Sequence, residues 1–510
     1  MYKKINYIIF LILSLFILLT VILQSSLQHW SGQWDLDFWY IYNASLMASG
    51  IEQEWFDHPA TSILAIYSFF YKIYSLVDSS FVYKIDEIIN SSNPNLILQK
   101  IYFVTRIIDS INVILIILFA FKISKILSLK DLYAYFLILT LLISKTFLNN
   151  LSILNPEDWA ILFFLISFYY FIKFFIEKKT LFLLLSGSFF AFSFFSKISI
   201  LFLFIFTIAL IPLFFQIYSK ENNDKIIKFF EKYFYLTFII YLLLLIFYFA
   251  IQFIVFSNLA PFEKNAGLDP IIIFIINFFY MMFFLIISKF DIIKFRTYFS
   301  LFLIFFLGFF ISLIIFLFID LLNIAKFNPW VLFHLSNPFN EMIRFIAINS
   351  STSLSVNALD VIQVLFSKFL FDKILFIGLC FIFVISIFKD LKNKDIYYFL
   401  FKLIIFFSFL FNVLIFNFRF YIEYALFAHI LYIILLSVCF KNLSNRIINF
   451  FCFISFIYIV AFLPVKNFDY LKSILSTRSS KLEMLCNENY SEFKIYSKKF
   501  NSDTYRKICN

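Results

Sequence analysis

Glycine and proline are scarce in this chain, at 6 and 9 among 510 residues. No Gly-rich phosphate loop is present, which argues against a nucleotide-driven pump. The five cysteines include no zinc-type cluster. Charge is thin at 14%. The alternating ten-residue segments of a membrane β-barrel are also missing, and no internal repeat is visible.

What fills the chain is apolar: 63% of residues are hydrophobic and the mean hydropathy is +0.93. A soluble domain of this length cannot hide so much apolar surface, and long apolar runs recur from end to end. They define an all-α polytopic membrane protein. The 83 Phe signal little by themselves, because Ile, Lys and Asn are also plentiful, as an AT-rich genome would give. The formal charge of +11 invites a nucleic-acid reading. That reading fails, because Lys and Arg fall between the apolar runs, as membrane topology requires, and not on one basic face.

Lys3 and Lys4 precede an apolar run over residues 5–23. The run exceeds a usual signal peptide and no small-x-small cleavage site follows, so it reads as an uncleaved helix with a cytoplasmic N-terminus. Threading the rest by the positive-inside rule gives spans near residues 101–121, 132–148, 159–176, 181–195, 198–217, 234–256, 271–288, 299–319, 374–388, 397–416, 421–439 and 447–464. That makes about 13 transmembrane helices. A long first outer loop covers residues 24–100, another outer loop covers 321–372, and a polar tail is outside. Residues 60–77 are apolar enough to span. If they did, every Lys-rich loop would flip outward, so they read as a juxtamembrane helix lying on the outer surface.

Ionisable residues gather at the outer level. Asp35, Asp37, Glu52, Glu54, Asp57 and His58 are in the first loop, and Arg106 is near the outer start of the second span. Glu157 and Asp158 are in the next outer loop, Lys197 is at a hairpin turn, and Arg344, Arg419 and Glu423 come later. Such groups near a membrane core are costly and usually serve a site or a partner. Blander roles also fit: helix-capping acids at 35 and 37, a snorkelling Arg106, and dipole-favoured acids at 157 and 158. Glu52 and Glu54 read as solvated. In the tail, Cys486 and Cys509 fit either a disulfide in an oxidising compartment or two free thiols. Cys380, Cys439 and Cys452 read as packing residues.

The first loop carries Asp35, then "LMASG" ending at Gly50, then "WFDHPA" at 55–60. Arg106 follows in "YFVTRIIDSI", Lys197 in "GSFFAFSFFSKISILFLF" and Arg419 in "NFRFYIEYALFAH". This ordered set resembles the GT-C glycosyltransferases, among them the bacterial aminoarabinose transferases and the protein O-mannosyltransferases. The resemblance covers mainly residues 28–205. It departs from the family in having D-x-D in place of adjacent acids, and His58-Pro59-Ala60 in place of His-Pro-Pro.

The resemblance implies a GT-C fold. Residues 1–205 would form the catalytic membrane module, 206–465 the remaining helices with acceptor-side loops, and 466–510 a small extracytoplasmic tail. It implies inverting transfer of a sugar from a polyprenyl-phosphate donor to a lipid, glycan or protein acceptor, at the outer face of a bacterial plasma membrane. Asp35 and Asp37 would be the catalytic acids, with Asp35 the base. His58, Arg106, Glu157, Asp158, Lys197 and Arg419 would bind substrate or phosphate, and a divalent metal, if used, would sit on Asp35 and Asp37. Membrane lipids are partners and nucleic acid is not. A flippase or a polymerase or ligase of lipid-linked glycans is the alternative function.

Overall fold

The computed structural model describes residues 2–33, 37–54, 60–127, 131–142, 147, 153–197, 200, 225–257, 275, 295–329, 332, 373–418, 425–461, 486 and 497–509. Among these, the regular elements are helices and no strand occurs. Five helices are long and apolar enough to cross a membrane, with windows at Phe10–Leu27, Pro94–Ile126, Pro156–Glu177, Phe234–Ile251 and Phe299–Leu321. The chain is a helical membrane protein. The spans expected at 198–217 and 271–288, and the long loop after residue 332, fall outside the described residues except for isolated positions.

The first helix, α1 (Tyr2–Leu27), leads through a 3-10 turn at Trp30–Gln33 into α2 (Asp37–Ala48), α3 (Thr61–Val77) and α4 (Ile85–Asn90). The second span, α5 (Pro94–Ile126), is longer at both ends than hydropathy predicts. Asn93 caps it by accepting from Leu96 N, and Pro94 occupies its first turn. At 33 residues it measures about 50 Å against a hydrocarbon core of about 30 Å. Its polar opening turns, PNLILQK, carry too little hydropathy to be read as membrane.

Then come α6 (Asp131–Leu142), α7 (Pro156–Glu177), α8 (Thr180–Ser196), α9 (Lys225–Lys232), α10 (Phe234–Ser257) and α11 (Phe295–Leu321). The chain closes with α12 (Lys373–Lys392), α13 (Ile396–Phe418), α14 (Ala425–Asn442), α15 (Asn445–Ala461) and α16 (Ser502–Cys509). α8 packs between α7 and α11. Its crossing with α11 is a backbone contact: a Cβ on Gly187 would lie 1.8 Å from Phe305 O, and one on Gly308 would lie 2.1 Å from Leu184 O. Ser188 Oγ donates to Gly308 O at 2.8 Å across the same crossing, and Ser312 Oγ to Ser188 O at 3.0 Å. Small residues let two membrane helices approach this closely.

The helix ends define two faces. On one, the loop face, α1 ends beside α5: Trp30 N donates to Gln99 Oε1 at 3.0 Å and Gln99 Nε2 to Gln28 O at 2.9 Å. The N-terminus of α7 and the C-termini of α8 and α11 reach this face too. The opposite face is rich in lysine. Lys125 pairs with Asp131 at 2.8 Å, and Lys173 and Lys179 both pair with Glu177 at 3.2 Å. On this face a fully buried Lys402–Asp390 pair at 2.5 Å closes the α12–α13 hairpin.

α3 lies along the loop face and does not cross the bundle. Ser62 Oγ, near its start, donates to Phe192 O at the far end of α8, and Lys72 Nζ reaches Asn323 O just beyond α11. Between them Ser68 Oγ donates to Ala44 O of α2 at 2.9 Å. One side of α3 is buried, whereas Phe69, Phe70, Ile73, Leu76 and Val77 are exposed. The helix thus has one buried side and one exposed apolar side.

Candidate functional site

The loop face holds a buried polar layer around the start of α7. Asn155 side chain accepts from Glu157 N at 3.1 Å and Pro156 fixes the first turn. That local chemistry puts Glu157 and Asp158 at the positive end of the helix dipole. Both are buried. Because α7 and α8 are antiparallel, Lys197 at the C-terminal cap of α8 faces this turn, and its Nζ lies 2.8 Å from Glu157 Oε1.

Arg106 is not a snorkelling residue. It lies three turns inside α5, 1% exposed, with its guanidinium 3.6 Å from the Asp109 carboxylate one turn on. Asp109 Oδ1 also accepts from Trp159 Nε1 at 3.0 Å and from Tyr67 OH at 3.4 Å. This carboxylate therefore joins α5, α7 and α3. Burial, with Asp109 alongside, pushes the Tyr67 phenol well above its ordinary range, so it stays a hydrogen-bond donor at neutral pH. Tyr71 OH and Thr105 Oγ1 form a second buried link between α3 and α5 at 2.6 Å.

Asp37, the first residue of α2, is also buried, and its Oδ1 accepts from Leu154 N at 2.7 Å. It thus ties the first loop to the segment that opens α7. Together with Asp109 it acts electrostatically on the Arg106 guanidinium. The buried layer holds Asp37, Asp109, Glu157 and Asp158 against the cations Arg106 and Lys197. Carboxylates buried in such excess are costly unless paired and hydrogen-bonded.

Five of the expected site residues, Asp37, Arg106, Glu157, Asp158 and Lys197, are gathered here. Asp35, His58 and Arg419 lie outside the described residues. Among the described residues no group of three or more His, Cys, Asp or Glu could hold a metal ion. Asp109, Trp159 and Tyr67 were missed from sequence. The signal available was Asp109 itself, an acid one helical turn from Arg106 in an apolar run.

One reading of the first loop is corrected. Glu54 is not simply solvated: it accepts from Tyr42 OH at 2.8 Å and from Lys498 N at 2.9 Å, because the C-terminal tail docks on it. Glu52 is exposed, as expected, and accepts from Asn328 Nδ2 at 3.0 Å. Ala60, where the resembled motif has proline, adopts φ 38°, which a proline ring cannot reach. No protein-family model, curated protein or solved structure matches the chain.

Proposed function

We propose that the protein is a membrane glycosyltransferase of GT-C type, with about 13 spans, that moves a sugar from a polyprenyl-phosphate carrier to an acceptor hydroxyl. The observation that carries this reading is the buried layer at the loop face. Acids and cations from the first turns of α2 and α7, the C-terminal end of α8 and the inside of α5 meet there. A carrier that moves glycans across the bilayer would set its charged groups at mid-membrane, on broken helices. Here Asp37, Glu157, Asp158 and Lys197 sit at helix ends, which favours chemistry at a membrane surface over transport, whereas Arg106 and Asp109 lie three to four turns inside α5.

In this reading Asp35 is the general base. It takes the acceptor hydroxyl proton as that oxygen attacks the anomeric carbon, and the bond to the lipid phosphate breaks with inversion. Asp37 is the second acid, holding the 154–158 segment through Leu154 N. Negative charge builds on the departing phosphate and calls for cations nearby. Arg106, Lys197 and Arg419 are the cations assigned to the phosphate, and His58, Glu157 and Asp158 to the donor or acceptor. Arg106 and Lys197 also balance buried acids, Asp109 at 3.6 Å and Glu157 at 2.8 Å. The lysine-rich opposite face fits a cytoplasmic side, and the Cys486–Cys509 bond fits an oxidising compartment on the loop side. The N-terminus is then cytoplasmic and the site extracytoplasmic, in a bacterial plasma membrane.

The test compares lipid-linked sugars and envelope glycans in cells with the wild-type gene, without it, and with Asp35→Asn. The expected result is loss of one glycan substituent and accumulation of its polyprenyl-phosphate sugar, in the null and the variant alike. A normal glycan profile with Asp35→Asn removes Asp35 as base, and a normal profile in the null removes the reaction.

A further inference from the structure

The C-terminal tail has no part in the chemistry above, yet its last residues are built into the loop face. Cys486 is bonded to Cys509, 23 residues away. The turn at 497–500 and α16 meet the first loop at two separate places. At the first, Lys498 N donates to Glu54 Oε2 at 2.9 Å and Lys499 N to Tyr42 OH at 3.2 Å. Phe500 is buried there, edge-on to Tyr42 at 5.2 Å and 6.2 Å from Phe38. At the second, Asn95 Nδ2 at the start of α5 donates to Ile508 O at 2.8 Å.

α16 has eight residues, too few to be a stable helix unaided. The disulfide makes docking easier by limiting the freedom of the undocked tail. What the tail grips is α2. Phe38, touched by Phe500, directly follows Asp37, and Glu54 is the last described residue before the 55–59 stretch that contains His58.

We infer that residues 497–509, closed by the Cys486–Cys509 bond, form a clamp that positions α2 and with it Asp37, so that the candidate site is complete only while the disulfide is intact. Phe500 and Glu54 are its positioning residues. What the clamp positions rests on the proposed reaction, but the clamp itself does not.

The test is hydrogen exchange on the intact chain in lipid nanodiscs, with and without dithiothreitol. The dithiol supplies two electrons, opens the bond to two thiols and is itself oxidised to a cyclic disulfide. Amides of residues 42–54 and 498–509 are expected to exchange about tenfold faster after reduction, the scale of one lost hydrogen bond. Those of α7 and α8 should not change. Cys486→Ser/Cys509→Ser should show the fast pattern with or without reductant, and Phe500→Ala should speed α2 in the oxidised protein. Unchanged exchange at 42–54, with opening of the bond verified by thiol labelling, overturns the clamp. Where sugar transfer is measured, reduction should lower kcat and leave KM for the donor unchanged; equal kcat before and after overturns the link to the site. A wild-type protein without transfer removes the reaction and leaves the exchange result to decide the clamp.

Discussion

Lys197 Nζ lies 2.8 Å from Glu157 Oε1, with both side chains inside the protein at facing ends of α7 and α8. A buried pair of this kind adds little net stability, but breaking it leaves one charge without its counterpart. Lys197→Met alone is expected to lower stability by about 3 kcal/mol, the low end of the range for an uncompensated buried charge. Lys197→Met combined with Glu157→Leu should recover most of that loss. Thermal unfolding of the purified variants in detergent measures both. If the single and double variants lose equal stability, the pair is not coupled.

The Asp109 carboxylate presents a different problem, because three partners on three helices depend on it. Asp109→Leu takes the nearest carboxylate from Arg106 and removes the acceptor for Trp159 and Tyr67. A loss of about 4 kcal/mol is expected. Asp109→Asn keeps an acceptor oxygen and should lose less. Tyr67→Phe removes one hydrogen bond and should cost about 1 kcal/mol. Denaturation of the three variants tests that order, and a Tyr67→Phe protein weaker than Asp109→Leu contradicts it.

How much of this was legible in the sequence depends on the kind of information involved. Hydropathy is a local property, and it gave the helical membrane class. The candidate layer was legible where the residue is itself anomalous, as Arg106 and Glu157 are in apolar surroundings. Asp109 was overlooked for want of a motif, although its spacing from Arg106 was visible. Glu54 could not be read, because its partner Lys498 lies 444 residues away and backbone amides leave no mark in composition. The length of α5 was underestimated because its first turns pack on protein and carry polar residues.

Ala60 is a backbone prediction. Its φ of 38° is left-handed, and it sits directly before α3, where its carbonyl accepts from Ile63 N and Leu64 N at 3.0 Å. Ala60→Pro would create the His-Pro-Pro form of the resembled motif, but proline holds φ near −65°. It should destabilise by about 3 kcal/mol or more. Ala60→Gly, free to adopt this conformation, should leave the melting temperature unchanged or raise it. A proline variant as stable as wild type rules out the left-handed geometry at this position.

Gly187 and Gly308 set the last prediction, because the α8–α11 crossing leaves no room for a side chain. At Gly187 an added Cβ would meet the Phe305 carbonyl at 1.8 Å, and backbone cannot swing aside as a flexible side chain can. Gly187→Ala must therefore push the helices apart. That would break the Ser188–Gly308 and Ser312–Ser188 hydrogen bonds across the crossing. A loss above about 4 kcal/mol is expected, seen as poor recovery of monodisperse protein and a large fall in melting temperature. Gly50 is the matched control. Its φ of 79° also favours glycine, but nothing lies within 4 Å of a Cβ placed there, so Gly50→Ala should cost only about 1 kcal/mol. The gap between the two variants separates helix contact from backbone conformation. Equal losses at both positions would mean that the crossing is looser than described, and would remove the contact that holds α11 against the hairpin carrying Lys197.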